Sequence, residues 1–150
     1  CRKAAEKVLR DGSALEKFKD MLENQGGRFS ENLAEIFVSR AQHQLDVKSD
    51  CSAYIKAINA EQIGIASMLL GAGRETKDST IDYSAGIKLY KKPGEKIKKG
   101  ECIAKLYTNR PEKAEEAARL MLNAVEIVDT PPDIGPLILA YMDGEKIIRY

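Results

Sequence analysis

Gly71-Ala72-Gly73-Arg74 is the segment with the most evident chemical potential, because glycine-rich backbone beside an arginine can cradle a phosphate. Its position argues against that use. It follows an apolar helical run, so it lies at the negative end of a helix dipole, whereas anions favour the opposite end. Nor is it a Walker A loop, which needs a second glycine and a Lys-Ser/Thr pair at fixed offsets. The segment is expected to be a helix C-cap and turn. Arg74 is expected to pair with a carboxylate such as Asp78 or Asp82, or with a carbonyl.

The other polar side chains offer less. Lys88, Lys91, Lys92, Lys96, Lys98 and Lys99 form a basic run. Glu95 and Glu101 dilute it and no aromatic stripe interleaves to stack on bases, so it reads as a solvated turn surface. His43 is the only histidine, which excludes a multi-histidine metal centre. No cysteine or serine nucleophile accompanies it in a recognisable motif, and a structural role is expected. The three cysteines, Cys1, Cys51 and Cys102, are far apart and form no Cys-x-x-Cys pair. They suit a reducing compartment, with Cys51 and Cys102 as small buried apolar residues.

Composition narrows the class. The chain has 150 residues, enough for one domain or one domain and a piece of another. Lys plus Arg number 24 against 23 Asp plus Glu, which disfavours a dedicated nucleic-acid binder. No apolar run approaches the ~20 residues of a membrane span, and Cys1-Arg2-Lys3-Ala4 opens no signal peptide. The chain enters a helical pattern at once and reads as the tail of something longer.

The elements that must position these residues follow from pattern and punctuation. Ala5, Val8 and Leu9 share one helical face, and Leu15, Phe18 and Leu22 another. Gly12 is expected to end the first helix, with Ser13 and Glu16 as a capping box opening the second. Gln25-Gly26-Gly27 stops it. Leu33, Ile36 and Phe37 suggest a third helical turn. From about residue 44 strands prevail: Leu45–Val47, Tyr54–Ile58, Ile81–Tyr90, a short strand at Ile97 between Pro93-Gly94 and Lys99-Gly100, Cys102–Tyr107, Val125–Val128 and Leu137–Tyr141. Asn59 with Gln62 caps a helix burying Ile63, Ala66, Leu69 and Leu70, which Gly71 closes. Pro111 opens another through Leu120 and Met121. Asp143-Gly144 signals a hairpin before Ile147-Ile148. Helices first and a strand-rich region after suggest two units joined at about residues 40–48.

Two resemblances are visible. Lys92-Pro93-Gly94-Glu95 through Lys99-Gly100-Glu101 is similar to the turn of biotinyl and lipoyl carrier domains, which are flattened β-barrels. Carriers display a methionine-flanked lysine at a hairpin tip. Here no lysine is so flanked, and the terminal hairpin reads Met142-Asp143-Gly144-Glu145-Lys146.

The wider resemblance is to the C-terminal part of the thymidine and pyrimidine-nucleoside phosphorylases. It is carried by Gly12-Ser13-Ala14-Leu15-Glu16-Lys17-Phe18-Lys19, Gln25-Gly26-Gly27, Leu70-Gly71-Ala72-Gly73-Arg74, Ile81-Asp82-Tyr83-Ser84-Ala85-Gly86-Ile87, and the two glycine turns just named. Order and spacing cover most of residues 5–107, while 108–150 match loosely. Ala53 stands where that family usually has glycine. The resemblance implies an α+β chain: residues 1–43 as the last helices of a central α/β domain plus linker, and 44–150 as a C-terminal α/β hammerhead domain with a barrel-sandwich-like β element. It further implies a cytoplasmic pentosyltransferase of pyrimidine salvage, converting pyrimidine nucleoside and inorganic phosphate to base and (deoxy)ribose 1-phosphate. Phosphate is then a substrate, and no cofactor, metal, nucleic acid or membrane is implied.

The family's Lys-His-Ser-type phosphate loop and base-gripping residues match no position here. No catalytic, cofactor-binding or metal-ligating residue is therefore assigned. The implied partner is an N-terminal portion of the same enzyme, itself a homodimer, and the 150-residue chain alone is expected to be inactive and structural. A biotinyl/lipoyl-like module and a piece of a nucleoside-monophosphate phosphorylase are the alternative readings.

Overall fold

The computed structural model describes residues 1–29, 41–144 and 146–150. The chain divides into two units, Cys1–Ser39 and Arg40–Tyr150.

The first unit contains α1 (Arg2–Arg10) and α2 (Ser13–Asn24). The break between them falls where expected, but its chemistry differs. Gly12, at φ +82°, is the N-cap residue and Ser13 is already helical. Asp11, not Ser13, supplies the capping oxygen: its carboxylate accepts from Ser13 N–H at 3.0 Å and Ser13 Oγ at 2.7 Å. The Ser13/Glu16 capping box is thus absent, because Asp11 satisfies the first free amide one residue earlier. At the far end Gly26 has φ +80°, Gly27 N–H reaches Leu22 C=O, and Gly26 N–H reaches Glu23 C=O. That is a Schellman closure. The turn expected at Leu33, Ile36 and Phe37 lies outside the described residues.

The second unit holds eight strands and two helices among the described residues: β1 (His43–Lys48), β2 (Ala53–Ile58), α3 (Ala60–Ser67), β3 (Gly86–Leu89), β4 (Lys96–Ile97), β5 (Cys102–Thr108), α4 (Pro111–Asn123), β6 (Val125–Val128), β7 (Ala140–Asp143) and β8 (Lys146–Arg149). Asn59 caps α3 by accepting from Gln62 N–H at 3.1 Å. The reciprocal half of that capping box does not form. Asn59 N–H goes instead to Ala124 C=O at 2.8 Å, and Gln62 Oε1 is left buried without a partner. Pro111 occupies the first turn of α4, where its missing N–H costs nothing.

The strands form three antiparallel sheets, ordered β1-β5-β3, β4-β2-β6 and β7-β8. Among the described residues no strand is shared between sheets and no sheet closes on itself. This corrects the expected barrel-sandwich-like element and hammerhead: the fold is α+β with small antiparallel sheets, none closed or strongly curled. The reason is partly local. Turns at both ends cut β4 to two residues, which meet only Ala53 and Tyr54 of β2, too short an element to carry hydrogen bonds from one sheet into the next. Ala53 itself pairs regularly with Ile97.

Those turns are built alike. In Lys92–Glu95 and Lys98–Glu101 the fourth residue's N–H bonds the first residue's C=O, and its carboxylate accepts the first residue's N–H at 2.7 and 2.8 Å. Gly94 and Gly100 stand third, at φ +90° and +81°, where the chain demands a left-handed residue. Glu95 and Glu101 are therefore turn-closing groups.

One apolar cluster joins the two larger sheets and both helices: Val47, Ile103, Ala104 and Leu106 from one sheet, Ala53, Ile55 and Ile97 from the other, Ala66 and Leu70 from α3 and the turn after it, and Ala117 and Met121 from α4. Ile55, Leu70, Ile97, Leu106 and Met121 are fully buried, each contributing about 1.5–3 kcal/mol by leaving water.

Candidate functional site

The glycine-arginine segment lies beside the junction of β5 and α4. After α3 the helix widens into a π-type turn, Met68–Ala72, in which Gly71 adopts φ +107°. Gly71 is a turn residue as expected, and its C=O accepts from Asp82 N–H at 2.9 Å. Gly73 is extended, at φ −142°. Arg74 is exposed.

Thr108, Asn109 and Arg110, where β5 passes into α4, gather this region. Buried Thr108 donates its hydroxyl to Leu70 C=O at 2.7 Å and accepts from Arg110 N–H at 2.9 Å. Asn109 accepts from Gln42 N–H at 2.8 Å and donates to Asp82 Oδ2 at 2.7 Å and Ser84 Oγ at 3.0 Å. Arg110 pairs with Glu75 at 3.0 Å. The cation that anchors this loop is therefore Arg110, while the neighbours of Asp82 are Ser84 and Asn109; the pairing expected for Arg74 is corrected accordingly.

Asp82 also explains why Ile81–Tyr90 is strand only over Gly86–Leu89. Its carboxylate accepts from Ser84 N–H at 2.9 Å and Ser84 Oγ at 2.6 Å, turning the chain before β3. These bonds, the Ser84 hydroxyl's first, hold the Asp82 carboxyl below its usual range against the opposing effect of burial. A carboxylate so engaged is a poor proton acceptor near neutral pH. The cluster's chemistry is that of a clasp: three consecutive residues tie the start of β1, the π-type turn and the loop before β3 to one point.

The remaining candidates lie apart from it or carry other bonds. His43 is exposed at the start of β1, opposite Thr108. Lys91 pairs with Glu101 at 2.8 Å, and this bond, with Lys98 N–H, lowers the Glu101 carboxyl. Lys88 and Lys96 lie over the rings of Tyr90 and Tyr54. Cys51 and Cys102 are half-buried rather than buried, and Cys102 Sγ donates to Ala104 C=O at 3.2 Å. Among the described residues no group of three or more His, Cys, Asp or Glu could hold a metal ion. A cavity of about 260 Å³ between Ser49, Ile97, Ile103, Leu122 and Val125 is below the usual size of a ligand pocket. The clasp was missed from sequence. Its one visible signal was the polar Thr108-Asn109 pair ahead of the helix-opening Pro111.

Comparison with known proteins agrees with the motif reading. Over 122 residues the chain is 44% identical to a pyrimidine-nucleoside phosphorylase of Bacillus subtilis, which covers 81% of this chain and 28% of the relative. A pyrimidine-nucleoside phosphorylase of Staphylococcus haemolyticus is 40% identical over 126 residues, 84% of this chain and 29% of that protein. One from Geobacillus stearothermophilus is 37% identical over 137 residues, 91% and 31% respectively. The chain therefore spans under a third of these relatives. Residues 54–128, half of the chain and all of the clasp except Gln42, match the pyrimidine nucleoside phosphorylase C-terminal domain, and the chain belongs to that family.

Proposed function

We propose that this chain is the C-terminal part of a pyrimidine-nucleoside phosphorylase, a cytoplasmic pentosyltransferase that converts pyrimidine nucleoside and phosphate to free base and (deoxy)ribose 1-phosphate. The observation that carries the reading is the family match over residues 54–128, together with coverage of under a third of full-length relatives. Residues 1–43 then belong with a central α/β domain and 44–150 form the C-terminal domain. The partner of both is the N-terminal portion of the enzyme, which is a homodimer.

Phosphorolysis needs phosphate held beside the anomeric carbon and donors that stabilise the departing pyrimidine anion. The sequence contains no Lys-His-Ser loop for the first task, and inorganic phosphate is a substrate of the whole enzyme. This chain's own contribution is mechanical. The Thr108–Arg110 clasp and the shared core make a rigid body that packs beside the phosphate-binding lobe.

The test is phosphate-dependent release of thymine from thymidine and uracil from uridine. Enzymes contribute about 10⁶-fold or more to such reactions, so the purified chain alone should show no measurable release. Supplying the N-terminal portion should restore turnover. Robust phosphorolysis by the 150-residue chain itself would overturn the reading.

A further inference from the structure

The outer face of the β1-β5-β3 sheet collects side chains that stand apart in sequence. Lys105 pairs with Lys88 on one side and Asp46 on the other, and Tyr107 with Gly86 and Gln44. Residues opposite one another in an antiparallel pair share a face, as do residues two apart along a strand. Ala104 and Leu106 point the other way, into the core shared with α4. Tyr90 N–H bonds Ile103 C=O at 2.9 Å, which places Tyr90 one row beyond the lysines. A lysine pair therefore stands between two tyrosines.

The contacts agree with that order. Lys88 Nζ lies 5.2 Å from the centroid of the Tyr90 ring. The Asp46 hydrogen bond raises the Lys105 ammonium and the Tyr90 and Tyr107 hydroxyls add to it, so both rings lie beside this lysine. Like charges directly opposite repel. Asp46 takes Lys105 at 3.2 Å, while Lys88 meets no carboxylate among the described residues and is exposed. The surrounding charge has one sign: residues 86–107 carry seven lysines against two glutamates, although the whole chain nets only +1. Both of those glutamates are committed to closing turns.

We propose that this face binds single-stranded nucleic acid, with bases stacked on Tyr90 and Tyr107 and the phosphates between them at Lys88 and Lys105. The two tyrosine rows are four residues apart along β5, about 13 Å. Stacked neighbours in a strand are only ~3.4 Å apart, so the two bases are separated by nucleotides whose phosphates pass the lysines. Any base has a face to stack, and the binding is tolerant of sequence. A lysine pair at the centre is unsuited to burial against protein, since interface cores are poor in charge and in lysine above all. The balanced charge of the whole chain speaks against a dedicated binder, and the face fits a weak, local one. This inference does not depend on the phosphorolysis reading.

Fluorescence anisotropy of a labelled oligo(dT), titrated with the purified 150-residue chain at several salt concentrations, tests it. The expected dissociation constant is of the order of 10⁻⁴–10⁻⁶ M. Tyr90→Ala and Tyr107→Ala should each weaken binding about tenfold, and phenylalanine at either position should retain it. Lys88→Gln should reduce the salt slope by about 0.7. Arg119→Gln makes the same charge change at an exposed position on α4, across the sheet, and should leave the slope unchanged. No binding at low salt overturns the proposal, as does an equal effect of Arg119→Gln and Lys88→Gln. Tyrosine substitutions without effect would show a plain anion surface and also overturn it. So would displacement of the oligonucleotide by polyglutamate as effective, charge for charge, as by unlabelled oligo(dT), because the face would then suit an acidic protein segment. The wild type decides the case in which alanine disrupts the sheet. The chain has no tryptophan, so its intrinsic emission comes from tyrosine. Quenching by oligo(dT) but not by polyglutamate supports stacking, and quenching that is absent or equal overturns it. Neither result bears on the family reading.

Discussion

Asn109 Nδ2 donates to Asp82 Oδ2 at 2.7 Å across 27 residues of sequence. Through its other amide atom Asn109 also holds Gln42 N–H, 67 residues away. One exposed side chain therefore joins three chain segments. Asn109→Ala should lower stability by about 1 kcal/mol, the net worth of partly exposed hydrogen bonds. Asn109→Asp should cost more near neutral pH, because a second carboxylate would then face Asp82, and the extra loss should shrink in acid. Urea unfolding of the two variants at two pH values checks both statements.

Asp82 makes the fold acid-sensitive in a definite direction. Its folded-state carboxyl titrates below the ordinary Asp range, chiefly through the Ser84 hydroxyl and amide, with Asn109 adding to them. A depressed carboxyl contributes stability above its unfolded pKa of ~3.9, and that contribution is lost as pH falls through the lower folded value. Asp82→Asn should therefore be less stable than wild type at about pH 6, with the gap closing below ~pH 3.9. A gap that stays constant through the acid range would show that Asp82 acts only by shape.

Thr108 tests the buried half of the clasp. It is 1% exposed, and its hydroxyl serves both Leu70 C=O and Arg110 N–H. Thr108→Val keeps the volume and orphans both groups, at a cost of about 1–3 kcal/mol. Thr108→Ser keeps the hydroxyl and should retain more of the stability. Thermal unfolding of the pair separates hydrogen bonding from packing.

Gly71 and Gly73 should respond differently to the same added methyl group. Gly71 sits at φ +107°, and a Cβ there would meet Asp82 Cβ at 3.4 Å. Gly71→Ala should cost about 1–2 kcal/mol through left-handed strain, and Gly71→Val more. Gly73 is extended, and its added Cβ would press on the flexible Met68 side chain at 3.2 Å. Gly73→Ala should be the milder change, and an equal cost at both positions would refute the conformational account.

Packing provides the largest expected effect. Met121 on α4 is 1% exposed within the cluster shared by both larger sheets. Met121→Ala should lower stability by about 2–5 kcal/mol, measurable as a fall in the denaturant midpoint.

What the sequence determined alone lies within a few residues of its signal. The Gly26 closure of α2, the Asn59 cap on α3 and the two Lys-x-Gly-Glu turns each satisfy backbone groups three to five positions away, and Pro111 opens α4 where no N–H is needed, so residue type and spacing suffice. Family membership was legible for a similar reason, since it rests on short motifs in a set order. Tertiary structure decided everything that depends on which distant group arrives first. Asp11 displaced Ser13 as a cap, Ala124 took the amide that Gln62 would have bonded, and Arg110 rather than Arg74 anchored the loop. It also decided that β2 and β5 centre separate sheets instead of closing one barrel. Apolar alternation says only that a strand has a face to bury, and several partners can bury it. The choice among them is made by the whole core at once, through contacts such as Leu106, Ile55 and Met121 that no local window contains.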